Sequence, residues 1–277
     1  MPEGHTLFRL ARDLDDAFGR APVRVASPQG RFATEAAALD GQELTHAESA
    51  GKHLFVGFPG ERYIHIHLGL IGKFDIAPLS GGEVPLPVGQ VRLRLFNESY
   101  VADLRGATQC ELVGEAKKDA VLKKLGPDPL RADADPDKAW SKISKSHRSI
   151  GELLMDQGVL AGIGNVYRAE VLFRHKMHPL RPGNTVSKKQ WTAIWADLVD
   201  LLAEGVRTGR IDTVRPEHTP EAMGRPPRVD DHGGEVYVYR RTGQACYICG
   251  ATVRTEELAG RNSFWCPKCQ RPYRARS

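Results

Sequence analysis

No stretch of this 277-residue chain reaches the ~18–20 uninterrupted apolar residues that a bilayer-spanning helix requires. The N-terminus, MPEGHTLFRL, has Glu3 where a secretory signal would be basic, and no apolar core follows, so a cytosolic protein is expected. No internal repeat is visible. Cysteine is scarce: there are five, and four of them crowd into the last part of the chain. Neither sign of charge dominates, with 39 Lys and Arg against 34 Asp and Glu, a net charge of +5 that is compatible with a polyanionic partner without proving one. Apolar residues at 41% and charged residues at 26% exclude a wholly disordered or collagen-like chain, and the length suits two domains.

What charge excess there is lies at one end. From Arg240 onward, eight basic residues (Arg240, Arg241, Arg254, Arg261, Lys268, Arg271, Arg274 and Arg276) face two acids, Glu256 and Glu257. That is +6, which leaves about −1 for everything before it. Cys246, Cys249, Cys266 and Cys269 fall in the same stretch, and function is to be sought there first.

The opening segment predicts a helix, because Leu7, Leu10, Ala11, Leu14, Ala17 and Phe18 recur at three- and four-residue steps. From about Val23 to Leu112 the period becomes two: Leu54, Val56 and Phe58 alternate, as do Ile64 and Ile66, then Val91, Leu93 and Leu95. Turn signals at Ala50-Gly51, Pro59-Gly60 and residues 78–89 separate these runs, which predicts a β-sandwich or barrel. Residues 115–138 are charged and lack strand character, and suggest a helix fragment and linker. Beyond them the chain is helical, with segments 149–157 and 165–175 flanking a glycine-bearing turn. A longer helix is capped by Ser187 with Gln190, and buries Trp191, Ile194, Trp195, Leu198 and Leu202. Residues 215–234 read as a loop. The expected class is α+β multidomain: a β-sandwich over 1–114, a linker over 115–135, a helical domain over 136–234 and a cysteine hairpin over 235–277.

Cys246-x2-Cys249, sixteen residues, then Cys266-x2-Cys269 is the spacing of a four-thiolate zinc site. A pair of disulfides or buried thiols is the alternative, and a cytosolic compartment disfavours the disulfides. A closed four-cysteine site leaves no open coordination position, so one structural Zn2+ is expected, ordering a minidomain too small for its own core. Arg261, in the arm between the cysteine pairs, is either a phosphate grip or a solvated surface residue. Gly162-Ile163-Gly164-Asn165 opens a helix, and its backbone N–H groups form either an anion site or a plain helix connection. Pro2 follows Met1, and removal of Met1 would expose a secondary amine. An α-amino group, with a pKa of ~7.7–8.0, is far more often neutral at pH 7 than a lysine. Such an amine condenses with an aldehyde to an iminium, an electron sink, and Glu3 beside it could shuttle protons. The plainer alternative is a proline tolerated at a helix start.

Together these features resemble the formamidopyrimidine-DNA glycosylase/endonuclease VIII family. The matching pieces, in order, are Pro2-Glu3-Gly4, Gly51-Lys52-His53-Leu54, His67-Leu68-Gly69, LGPDPL from Leu125, LLMDQGVLAGIGNVYRAEVLF from Leu153, and GRNSFWCPKCQ from Gly260. The resemblance implies a β-sandwich bearing the proline helix, a helix–two-turn–helix module and a zinc finger. It also implies a bifunctional glycosylase and lyase that extrudes a damaged base from duplex DNA, as enzymes acting on bases must. Carried onto this chain, Pro2 attacks the sugar C1′ and Glu3 assists ring opening and proton transfer. Lys52, at a predicted hairpin turn, meets a phosphate and acts as acid in β-elimination; otherwise it is a hairpin-tip lysine. Arg261 clamps the flipped nucleotide's phosphate and assists δ-elimination, and Asn165 binds the DNA backbone. Leu70, with Ile71 beside it, would fill the gap left by the extruded base; the alternative is a strand residue in the core. Cys110 and His147 are assigned nothing.

The chain departs from the family at several positions. His5-Thr6 stands where both main branches commonly have Pro-Glu, and Gly151 aligns with the lysine tied to 8-oxoguanine recognition. With Gly4 and Ala161-Gly162, this points to the endonuclease VIII branch and mainly oxidised pyrimidines. The expected partner is damaged double-stranded DNA, bound by a monomer without membrane or nucleotide cofactor. Alternatives are a non-catalytic binder of damaged or abasic DNA, an 8-oxoguanine/formamidopyrimidine-type glycosylase, or an RNA-binding zinc protein.

Overall fold

The computed structural model describes residues 2–81, 83–229 and 234–274; Met1 and Arg276 lie outside them. The chain divides into two compact units, Met1–Lys124 and Leu125–Ser277.

In the first unit, helix α1 (Gly4–Phe18) buries the stripe its periodicity predicts, Leu7, Ala11, Leu14 and Phe18. It is followed by β1 (Ala21–Pro22), β2 (Arg24–Ala26), α2 (Ala33–Leu39), β3 (Glu43–Leu44), β4 (His46–Ala50), β5 (His53–Phe58) and β6 (Arg62–His67). Then come β7 (Lys73–Pro78), β8 (Val91–Phe96), β9 (Tyr100–Arg105), β10 (Gln109–Gly114) and α3 (Glu115–Leu122). Two four-stranded antiparallel sheets form, ordered β10-β6-β5-β4 and β2-β8-β9-β7, with a short β1-β3 pair. Their inner faces share one core with α1. Leu54, Val56, Ile64 and Ile66 come from one sheet, and Val25, Leu93, Leu95 and Leu104 from the other. Each such side chain contributes roughly 1.5–3 kcal/mol of hydrophobic stabilisation, and none of this core depends on the cysteine site. Cys110 belongs to this core, and burial pushes its thiol up to about 12.

Helix α2 departs from the alternating pattern expected between Val23 and Leu112. Its sequence ATEAAAL is rich in alanine, the strongest helix former, and buries only Ala36 and Leu39. Helix α3 lies in the stretch read as linker. Val121 and Leu122 pack it onto Phe55, Tyr63 and Val113, on the outer face of the first sheet.

The second unit holds α4 (Pro136–Ile143), α5 (Ile150–Met155), α6 (Asn165–Arg174), α7 (Lys188–Thr208), α8 (Pro220–Met223), β11 (Arg254–Leu258) and β12 (Arg261–Trp265). Capping boxes start α5 at Ser149–Glu152 and α7 at Ser187–Gln190, the second as the sequence predicts. Trp191, Ile194, Leu198 and Leu202 of α7 enter a core shared with α6, with Tyr237 and Tyr239, and with Phe264 and Cys266 of the cysteine arm. Within the segment read as a loop, Thr219 caps α8, Pro220 occupies its first turn, and Gly224 ends it at φ 61°.

Candidate functional site

The predicted site residues fall into two sets, one in each unit. In the first, Pro2 is half-buried immediately ahead of α1, and Glu3 is the wholly buried N-cap of that helix. The Glu3 N–H donates to Thr6 Oγ1 at 3.4 Å, and the Thr6 N–H donates to the Glu3 carbonyl at 2.9 Å. Thr6, one of the two residues that depart from the family's usual start, therefore closes the cap. The other, His5, is also buried, and burial drives its imidazole down to about 4, leaving it neutral at pH 7.

Lys52 occupies the turn between β4 and β5, where Ala50 pairs with His53 across a two-residue connection. Gly51 takes φ 57°, the left-handed value that such a tight hairpin needs at its first central position. Strand alternation sends Leu54 and Val56 into the core and His53 and Phe55 to the opposite face. The neighbouring strands add His65, Gln109 and Glu111 to that face, with Phe55 paired to His65 and His65 to Glu111. His53 Nδ1 and His65 Nε2 are 2.9 Å apart, and the His65 ring stacks on Phe55 at 4.5 Å. Burial lowers His53 to about 4 and lowers His65 and His67; the Lys52 ammonium pushes His53 and His67 further the same way. The hairpin tip thus joins one cation to a cluster of neutral imidazoles.

Leu70 and Ile71 lie in the connection between β6 and β7, 57% and 80% exposed, so Leu70 is not a core residue of the strand. The loop is tight. Gly69 has φ 68° and its N–H reaches His67 Nδ1 at 3.1 Å, and a Cβ at Gly72 would stand 2.3 Å from the Leu68 carbonyl oxygen. Two apolar side chains are therefore held out in water by a constrained backbone, the form a wedge requires.

In the second unit, the turn before α6 is closed by Gln157, whose Oε1 accepts from the Gly162 N–H and whose Nε2 donates to the Ile163 carbonyl. Asn165 begins α6 and is almost fully buried. Its Nδ2 donates to the Asn262 carbonyl at 3.0 Å, and Arg168 donates both to that carbonyl, at 3.1 Å, and to Asn165 Oδ1. Asn262 follows Arg261, so α6 grips the hairpin beside the exposed arginine. Between β11 and β12 the turn residues Ala259 and Gly260 have φ 51° and 72°, both positive as a type I′ turn demands. Glu170 fastens the segment that leads into the cysteine arm: its carboxylate accepts the Tyr237, Val238 and Tyr239 N–H groups at 2.6, 2.9 and 2.8 Å, and the Thr213 hydroxyl at 2.6 Å.

The four cysteine sulfurs all lie within 4.8 Å of one another. Cys246–Cys269 and Cys249–Cys266 are separated by 3.9 and 3.4 Å, near the about 3.8 Å that tetrahedral Zn–S bonds of about 2.3 Å impose and too far for disulfides. Burial pushes the Cys246 and Cys269 thiols up, so four thiolates gathered here need a cation among them. The residues fit one structural zinc. Buried Gln270 accepts the Cys266 N–H and donates to the Met177 carbonyl, tying the second knuckle into the unit's core.

Arg168, Glu170 and Asn262, and the pairing of His65 with Gln109 and Glu111, carry no motif in the sequence. The alternation His65-Ile66-His67 was the one available hint of the latter. A buried carboxylate accepting three backbone N–H groups leaves no local pattern.

Family profiles match the chain in three places: the formamidopyrimidine-DNA glycosylase N-terminal domain over residues 1–110, the formamidopyrimidine-DNA glycosylase H2TH domain over 125–216, and the zinc finger found in FPG and IleRS over 243–272. A Mycobacterium tuberculosis protein named endonuclease 8 1 is 51% identical across 98% of this chain and all of its own length. A Streptococcus pneumoniae formamidopyrimidine-DNA glycosylase is 36% identical across 98% of each chain. The Lactococcus lactis Fpg in complex with abasic-site DNA shares the fold, with a TM-score of 0.77 at 23% identity over 98% of this chain and all of its own. Three profiles in order and one relative matched end to end place the chain in the formamidopyrimidine-DNA glycosylase/endonuclease VIII family of base-excision repair enzymes, which are DNA glycosylases with AP lyase activity.

Proposed function

We propose that this protein excises oxidised pyrimidines from damaged duplex DNA and nicks the resulting abasic strand by β,δ-elimination, acting as a monomer in the bacterial cytosol. The observation that carries this is the head of α1: Pro2 stands before a helix whose N-cap is a wholly buried carboxylate, Glu3. With Met1 removed, the neutral Pro2 nitrogen attacks C1′ and displaces the damaged base. Ring opening, with Glu3 moving the proton, leaves an iminium between the proline nitrogen and C1′. That electron sink acidifies C2′–H, and elimination expels the 3′ phosphate with Lys52 as acid. Arg261 holds the flipped nucleotide's phosphate and assists the second elimination, Asn165 binds the backbone at the α6 N-terminus, and Leu70 fills the vacated stack. The zinc orders the hairpin that carries Arg261 and takes no part in bond making.

The oxidised-pyrimidine preference rests on Gly151 in place of the family's recognition lysine and on the higher identity to an endonuclease 8 than to a formamidopyrimidine-DNA glycosylase. Borohydride trapping on thymine-glycol and abasic duplexes tests the mechanism. The expected result is a covalent adduct that Pro2→Gly abolishes. An adduct that survives this substitution, or tight binding with no adduct, overturns it. Excision measured over a lesion panel decides the branch, since a preference for 8-oxoguanine would reverse it.

A further inference from the structure

We infer that His53 presents a neutral imidazole N–H of fixed tautomer to a phosphate oxygen of the bound DNA beside Lys52, and that His65 and Gln109 are positioning residues that hold that tautomer. This rests on the proposed function, which places a phosphate at Lys52.

The direction of the hydrogen bonds follows from the far end of the chain of contacts. Lys117 Nζ stands 2.8 Å from Glu111 Oε2 and keeps that carboxyl below its usual range, so Glu111 is ionised and can only accept. Gln109 Nε2 donates to Glu111 Oε1 at 2.5 Å, and its second hydrogen faces His65 Nδ1 at 3.1 Å. His65 Nδ1 is 3.6 Å from Glu111 Oε1, too long for a direct hydrogen bond, so Gln109 is its partner. His65 Nδ1 therefore accepts. A neutral imidazole carries one N–H, so the proton of His65 sits on Nε2 and is donated across 2.9 Å to His53 Nδ1. His53 must then carry its own proton on Nε2, at the open end of the chain.

The charged and titratable groups that face the His53 ring are Lys52 from the β4–β5 turn and His65 and His67 from β6; behind them Glu111 from β10 and Lys117 from α3 face His65. Burial and the Lys52 charge keep His53 neutral down to about pH 4. Stacking of His65 on Phe55 holds its ring plane. A lysine and a neutral donor side by side suit a phosphate oxygen. One supplies charge, and the other supplies a directed hydrogen bond that adds none.

The test is imidazole 15N NMR on the zinc-loaded protein, together with steady-state kinetics on an abasic duplex. The wild type should show the Nε2–H tautomer at both His53 and His65. Gln109→Leu removes the donor and leaves ionised Glu111 as the acceptor nearest His65 Nδ1, which should move both protons to Nδ1. His53→Phe should raise KM about tenfold, the worth of one hydrogen bond to a charged group, with kcat nearly unchanged. His53→Gln, which keeps a donor in reach, should restore most of the loss. The slope of log KM against log salt should be unchanged in the His53 variants, because no charge is lost. An Nδ1–H tautomer at His53 in the wild type, or a His53→Phe enzyme with wild-type KM, overturns the inference. Should His53→Phe fail to fold, the wild-type tautomer and the Gln109→Leu variant still decide. Absence of a wild-type borohydride adduct strikes the proposed function instead, so the two failures are told apart.

Discussion

Two tight hairpins present the two cations assigned to DNA phosphates, and what supports each is different. Lys52 sits in the β4–β5 turn, on a sheet whose inner face is packed with Leu54, Val56, Ile64 and Ile66. Arg261 follows the β11–β12 turn, on a hairpin whose outer strand is exposed and which rests on four sulfurs, a buried Asn165–Arg168 grip and Glu170. A hydrophobic core holds the first turn through many weak contacts. Phe264 and Cys266 root the second in its unit's core, and a few strong polar and metal bonds hold its outer part. The first should tolerate single losses, whereas the second should fail when any one of its supports is removed.

The sharpest way to break this contrast is to remove the metal. Cys266→Ser, or chelation, should lower affinity for an abasic-analogue duplex by about 100-fold, read by fluorescence anisotropy, while the sandwich keeps its β-sheet circular dichroism. Unchanged affinity would mean that the Arg261 hairpin stands without zinc. Glu170→Gln replaces an acceptor oxygen with an NH2 group facing backbone donors. It should destabilise the second unit by roughly 2–3 kcal/mol in urea melts, leaving the first unit untouched.

Acid should unsettle the first unit through its histidines. His5 and His53 titrate near 4 when folded against 6.5 when unfolded, so between those values the unfolded chain binds the extra proton. Stability is full above pH 6.5 and falls as the pH drops towards 4, by on the order of 2 kcal/mol for buried His5. Urea midpoints measured at several pH values on His5→Leu should show a flatter profile than the wild type. Lys52→Ala and Arg261→Ala should each reduce the salt slope of binding by about 1, and chelation should mimic only the second. Leu70→Ala should shift stability by less than about 0.5 kcal/mol, because the side chain is already in water, yet slow excision several-fold in single-turnover assays.

Elements with one strong periodicity were legible beforehand. Helix α1, strands β5, β6 and β8, the capped helix α7 and the cysteine knuckles all stand where spacing put them. Helix α2 and helix α8 were not legible. The first is too short to show an amphipathic period, and the second is built from a threonine cap, a proline and a glycine that also read as loop signals. Leu70 was ambiguous for a related reason: the apolar alternation Ile64, Ile66, Leu68, Leu70 continues past His67, so it does not reveal where the strand ends and the turn begins.

The linear chain by itself determined the four-thiolate site, the proline-headed helix and the family, because metal spacing, capping residues and ordered motifs are local properties of sequence. Which buried groups meet was decided only by folding. The Asn165–Arg168 grip on Asn262, the Glu170 clamp and the Gln109–His65–His53 chain join residues that are far apart in sequence or on different strands. Hydrogen bonds acquire direction and strength only when tertiary packing removes the water that would otherwise compete for them.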